Sequence, residues 1–225
     1  MAENRQLPLE LALEPRFGEE DFLISQCNAD AYGLIEVWPD WPSRMLLVMG
    51  PAASGKSHLA AIWAKRSHAR HLSARSLGKA DVPALVAAKA VVVEDIDRSG
   101  VDEAALFHLV NLAQEKDAFV FVTTAKAPDD LGLATPDLLS RLRRAPLVAI
   151  SPPDDALIRA LLVKLFVDRQ LVVDTALVEY LCLRMERSFS TVRTTVEKLD
   201  RETLAQGRRL TRPMAARILG WTSES

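Results

Sequence analysis

The chain has 225 residues, 49% of them hydrophobic, enough to bury one full core and a small appended domain. A formal net charge of −2 leaves no global field to draw it to nucleic acid or an acidic membrane surface. The four histidines form no ligand cluster and the two cysteines, Cys27 and Cys182, have no metal spacing. With no run of about 18 apolar residues and no signal-peptide pattern, a soluble cytoplasmic protein with reduced thiols and no membrane role is expected.

Residues 1–16, with two prolines among polar residues, read as an extended arm. Asn28 is placed to cap a helix through Ala31, Leu34, Ile35 and Trp38, which Pro39-Asp40-Trp41-Pro42 stops. Apolar runs of strand length follow at Met45–Met49, Ala69–Leu72, Ala90–Val93, Phe119–Thr123 and Leu147–Ile150. Helical patterns separate them, clearest over 102–116, where Leu106, Leu109, Val110 and Ala113 share a face. Alternating strands and helices predict an α/β core, a parallel sheet flanked by helices, over residues 17–150. From Ser151-Pro152-Pro153 onward strand signals stop. Helices are predicted over 154–169, 174–186, 190–206 and 212–219, making 151–225 a small all-helical C-terminal lid.

Between the first strand and its helix stands Gly50-Pro51-Ala52-Ala53-Ser54-Gly55-Lys56-Ser57, which fits the phosphate-loop pattern G-x-x-x-x-G-K-[ST]. Strand, glycine loop, helix is the context in which the pattern carries meaning. Successive backbone N–H groups and a helix N-terminus offer partial positive charge to an anion. Lys56 is placed for the β/γ-phosphates of ADP or ATP, and the Ser57 hydroxyl for Mg²⁺. Downstream, Ala90-Val91-Val92-Val93-Glu94-Asp95-Ile96-Asp97 is a buried strand ending in carboxylates. In phosphate-loop proteins one such acid holds the metal-bound water and its neighbour polarises the attacking one. Glu94 takes the metal role and Asp95 the second.

Phosphate loop, acidic strand end, a strand ending in Thr123-Thr124, an arginine-bearing helix and a helical lid together resemble an AAA+ module. More narrowly, Gly55-Lys56-Ser57-His58-Leu59 is similar to the G-K-[ST]-H-L of the replication initiator DnaA. Ser140-Arg141-Leu142 resembles the initiator's S-R-F segment, and Thr191-Val192-Arg193 its V-R-E in the lid. The likeness covers about residues 17–220. DnaA continues past its lid into a helix-turn-helix reader of DNA, whereas this sequence stops at Ser225, which turns the resemblance toward the Hda family, regulatory inactivators of DnaA. Gln6-Leu7-Pro8-Leu9-Glu10-Leu11 resembles the Q-L-x-L-x-L peptide by which that family docks on the DNA-polymerase sliding clamp, its β subunit. Gln6 would enter a polar pocket, with Leu7, Leu9 and Leu11 on an apolar groove.

The resemblance implies a protein that binds ADP or ATP with Mg²⁺, sits on the clamp, and makes a neighbouring DnaA hydrolyse its ATP. DNA is then met only through the clamp, and self-association stays open. It implies further that Arg141 is an arginine finger given in trans, a role that accelerates hydrolysis about 10³–10⁵-fold. Arg193 would serve the chain's own nucleotide, along with His58, and the base would lie near Phe22-Leu23-Ile24. Three departures point to weak hydrolysis by the chain itself: Glu94-Asp95 where Asp usually leads, Ala125 where the initiator has an aspartate, and Arg143-Arg144 for an aromatic-glycine pair. A DnaC-like helicase loader or transposition-helper ATPase is the alternative reading, and a small-molecule kinase a more distant one.

Overall fold

A computed structural model describes residues 18–221; Gln6, Leu7, Leu9 and Leu11 of the arm lie outside the described residues. The chain separates into two compact units, which divide between Ser151 and Pro152. The first holds α1 (Ala29–Glu36), β1 (Met45–Met49), α2 (Lys56–Ser67), β2 (Arg70–Ser73), α3 (Val82–Ala87), β3 (Ala90–Glu94), α4 (Glu103–Glu115), β4 (Phe119–Thr124), α5 (Pro136–Arg144) and β5 (Leu147–Ala149). The strands form one sheet in the order β2-β3-β4-β1-β5, every pairing parallel.

Side chains alternate across the sheet, and each face finds its own partners. Leu47, Val91, Val93, Val120 and Val122 pack with Leu106 and Leu109 of α4, Val86 of α3 and Leu142 of α5. Phe121, of opposite parity in β4, stacks on Trp63 of α2 with 5.4 Å between ring centroids. Both faces being covered, β3 and β4 are unbroken apolar runs. The helix that follows β1 therefore lies on one face, and those that follow β3 and β4 on the other. The neighbours β1 and β4 thus form a topological switch point, and the crevice beyond their C-terminal ends is where open α/β sheets take ligands.

Two local readings differ from expectation. The first helix ends at Glu36 rather than Trp38, because Trp38 and Trp41 turn in against Trp63 and Phe119. Burying two indoles outweighs another half-turn of helix. Asn28 occupies the N-cap position of α1, yet its side chain does not cap the helix. It turns back instead, Oδ1 accepting from Ser25 N–H at 2.8 Å and Nδ2 donating to the Leu23 carbonyl at 2.9 Å.

The second unit contains α6 (Asp155–Asp168), α7 (Thr175–Cys182), α8 (Phe189–Gln206) and α9 (Arg212–Leu219). Asp154, Asp174 and Ser188 cap the first three by accepting backbone N–H groups of the opening turn. Gly207 and Gly220 end α8 and α9 in the left-handed conformation that spares a side chain. Ile158, Leu162, Phe166, Leu181, Val192, Val196 and Leu199 form its own core.

Candidate nucleotide-binding site

β1 delivers Gly50 to the switch point, where the Gly50 N–H donates to the Thr124 carbonyl at 3.1 Å. A Cβ at Gly50 would stand 2.7 Å from Ser54 Oγ and 3.1 Å from the Ile150 side chain, so the loop closes only around a glycine. Ala53 (φ 62°) and Gly55 (φ 94°) are both left-handed and fold the backbone back before α2 begins at Lys56. Ala53 carries that conformation at a cost a glycine would not incur, the kind of strain kept at sites that hold a fixed shape. Gly55 makes no side-chain cap, so no side chain at the cap position takes up the first-turn amides of α2. Ser54 is 2% exposed and its hydroxyl finds no partner among the described residues. A buried orphan hydroxyl and uncapped amides at one loop suit a phosphate group.

Lys56 is 7% exposed, and its Nζ donates to the carbonyls of Gly50 at 2.8 Å and Pro51 at 2.9 Å. Burial lowers its pKa, an effect opposed by the carboxylates of Asp95 and Asp97. The ammonium is thus held at the loop by bonds it can exchange for phosphate oxygens. The ring of Phe22 lies 3.1 Å from where a Gly55 Cβ would stand, stacks on Tyr32 at 5.8 Å and meets His58 edge-on at 5.2 Å. His58 Nε2 is 2.7 Å from the Gly18 carbonyl. Of the segment Phe22-Leu23-Ile24, Phe22 therefore lies against the loop, Asn28 holds the Leu23 carbonyl, and Ile24 is exposed.

At the end of β3, the Glu94 carboxylate accepts a hydrogen bond from His71 Nε2, 2.5 Å away. Burial would raise its pKa, but the polar influence of His71 and Ser57 and the Lys56 charge prevail and lower it, favouring the anion. A serine hydroxyl has lone pairs for a cation and Glu94 is held as the anion, so Ser57 and Glu94 suit a hydrated Mg²⁺ beside a nucleotide. Asp95 is left-handed (φ 60°), gives its N–H to Thr123 Oγ1 at 2.9 Å, and has its carboxylate 3.4 Å from Arg98 Nε. Asp97, absent from the sequence-derived site, accepts the Ala125 N–H at 2.8 Å. The Thr124 hydroxyl is committed to the Lys126 backbone. Asp97 left only a weak trace, a second carboxylate two residues past Asp95. His71 left none, because its meeting with Glu94 depends on strand register.

Arg141 stands elsewhere. It lines a cavity of about 250 Å³ with Ser43, Arg44, Met45 and Val120, residues at the starts of β1 and β4, and donates to Gln114 at the end of α4. The phosphate loop leaves the other end of β1, and a five-residue strand spans about 16 Å. Arg44 in the same wall is bidentate to Asp117, at 2.7 and 2.9 Å. Arg143 pairs with Asp129. Arg193 belongs to the second unit, in the opening turns of α8, half-exposed and 4.0 Å from Glu197.

Residues 155–219 match the family "Hda, lid domain". Domain III of the replication initiation protein DnaA from Thermotoga maritima is similar in structure, with a TM-score of 0.74 at 16% identity, covering 94% of this chain and 99% of that one. AMPPCP-bound DnaA from Aquifex aeolicus follows, with a TM-score of 0.63 at 18% identity over 83% of this chain and 65% of that one. A RuvB mutant from Thermotoga maritima gives 0.64 at 15% identity over 88% and 70%. The fold is shared with DnaA domain III and with RuvB, an AAA+ core of parallel sheet and helices with C-terminal helices. Among the described residues no helix is long and apolar enough to cross a membrane.

Proposed function

We propose that this chain, whose residues 155–219 match the family "Hda, lid domain" and whose fold is that of DnaA domain III, is a DnaA-related AAA+ protein that regulates the initiation of chromosome replication by ending the ATP-bound state of DnaA. The lid match over residues 155–219 carries this reading. In it, the chain holds ADP or ATP at Gly50, Pro51, Ala52, Ala53, Ser54, Gly55, Lys56, Ser57 and His58. Loop amides and Lys56 bind the phosphates, and Phe22 with its neighbours bounds the base. Ser57 and Glu94 hold Mg²⁺, which when bound neutralises phosphate charge. Arg193 answers to the nucleotide from the lid.

The chain's own hydrolysis is slow in this reading. Asp95 is engaged by Arg98 and Thr123, and Ala125 presents only a backbone N–H, already taken by Asp97. Arg141 cannot serve its own loop from the opposite end of the sheet, which supports a part played on another subunit. There its guanidinium stabilises the charge that develops during hydrolysis of DnaA-bound ATP. Gln6, Leu7, Leu9 and Leu11 tether the chain to the sliding clamp, raising its effective concentration beside DNA in the cytoplasm.

The test follows DnaA-bound ATP in the presence of clamp loaded on DNA, with and without this protein. Hydrolysis should accelerate only when both clamp and protein are present. Gln6→Ala with Leu7→Ala should abolish clamp binding in a pull-down while ADP binding persists. A chain that ignores the clamp and leaves the initiator's ATP intact overturns the proposal. Capture of a helicase in place of the clamp would favour a loader.

A further inference from the structure

Glu94 is one carbon longer than the aspartate usual at this strand end, and the structure gives that carbon a use. In the β2–β3 pairing His71 stands opposite Val92 and Ser73 opposite Glu94, so His71 and Glu94 share a sheet face, diagonal to each other. The longer side chain reaches across to the edge strand, where His71 Nε2 donates to Glu94 Oε1 at 2.5 Å. Ser57, at the start of the helix after the phosphate loop, contributes with His71 to lowering the Glu94 pKa. Glu94 is well covered, its side chain 18% exposed, whereas His71 at the edge is 35% exposed.

A glutamate has one more rotatable bond than an aspartate, and that freedom must be frozen before the carboxylate can meet a hydrated cation. A carboxylate offers about four lone-pair sites, so the His71 donor restricts its orientation and leaves room for metal-bound water. We propose that His71 is a positioning residue: it pins Glu94 beside Ser57, so that the pair meets a divalent cation ready-oriented. His71 itself touches neither metal nor nucleotide. The inference rests on the reading of Ser57 and Glu94 as the cation-holding pair, and extends that site to the edge strand.

The experiment measures equilibrium binding of a fluorescent ADP to the full chain during Mg²⁺ titration from a chelated start, and reads the half-saturating Mg²⁺ concentration. Removing such an outer partner lowers metal affinity about 10–100-fold, so His71→Ala should raise that midpoint at least about tenfold. ADP binding without Mg²⁺ should not change. His71→Gln, which keeps an N–H donor, should restore most of the affinity. In a Glu94→Asp background the shortened carboxylate no longer reaches β2, so His71→Ala should add nothing further.

An unmoved midpoint in His71→Ala, or the same shift in both backgrounds, overturns the proposal. So does wild-type ADP binding that is indifferent to Mg²⁺, although the phosphate-loop reading would survive it. ADP binding undiminished by Lys56→Ala would instead sink the loop reading, and this inference with it.

Discussion

Asn28 shows how one side chain can serve a site from a distance. Buried at the start of α1, it spends its amide on the Leu23 carbonyl and the Ser25 N–H, and so holds the backbone next to Phe22, whose ring lies against the phosphate loop. Asn28→Ala removes both bonds and strands their backbone partners, at about 1–3 kcal/mol. Thermal unfolding should report that loss, and ADP affinity should fall with it as Phe22 loosens from Gly55. The sequence marks Asn28 as a cap, since an asparagine before a helical pattern carries that signal. It carries no sign that the side chain points the other way. Gly50, Gly55, Lys56 and Ser57 were legible because loop chemistry is local; Asp97 and His71 were not, because each acts on a residue brought near by the sheet. Lys56→Ala should remove most ADP binding in calorimetry without unfolding the protein, as its bonds are to the loop's own carbonyls.

At the level of elements, the inner strands β1, β3 and β4 were plain because burial on both faces makes them continuous apolar runs, whereas β2 and β5 are exposed edges. The long helices were plain for their period and their caps. The stretch between β2 and β3 was not: a 3-10 turn at Ala74–Lys79 and a six-residue α3 are too short to show a period. Asp81, which caps α3 by accepting the Ala84 N–H at 3.1 Å, is the signal that could have found it. The aspartates before α6 and α7 do the same work, accepting from Leu157 and Leu177, each at 2.7 Å. Asp154→Ala or Asp174→Ala should each destabilise the second unit by about 1 kcal/mol, seen as a lower denaturant midpoint with unchanged slope.

For the whole molecule, the two ends of the central sheet are assigned different tasks. In the proposed reading the loop end takes a ligand of the chain's own, while Arg141 lines the far end, beyond the starts of β1 and β4. Arg141→Ala should therefore keep ADP and clamp affinity at wild-type levels in titrations yet lose the acceleration of hydrolysis by DnaA. Undiminished acceleration would remove Arg141 from the mechanism. This separation gives the core a direction, like a battery with distinct poles. If Arg141 acts on another subunit as proposed, such bodies would join tail to head, through unlike surfaces, and a row of them would leave one grip unused at one terminus and one guanidinium unused at the other. On the proposed function, a regulator offering its guanidinium to such a row would meet only the terminus whose grip is unused.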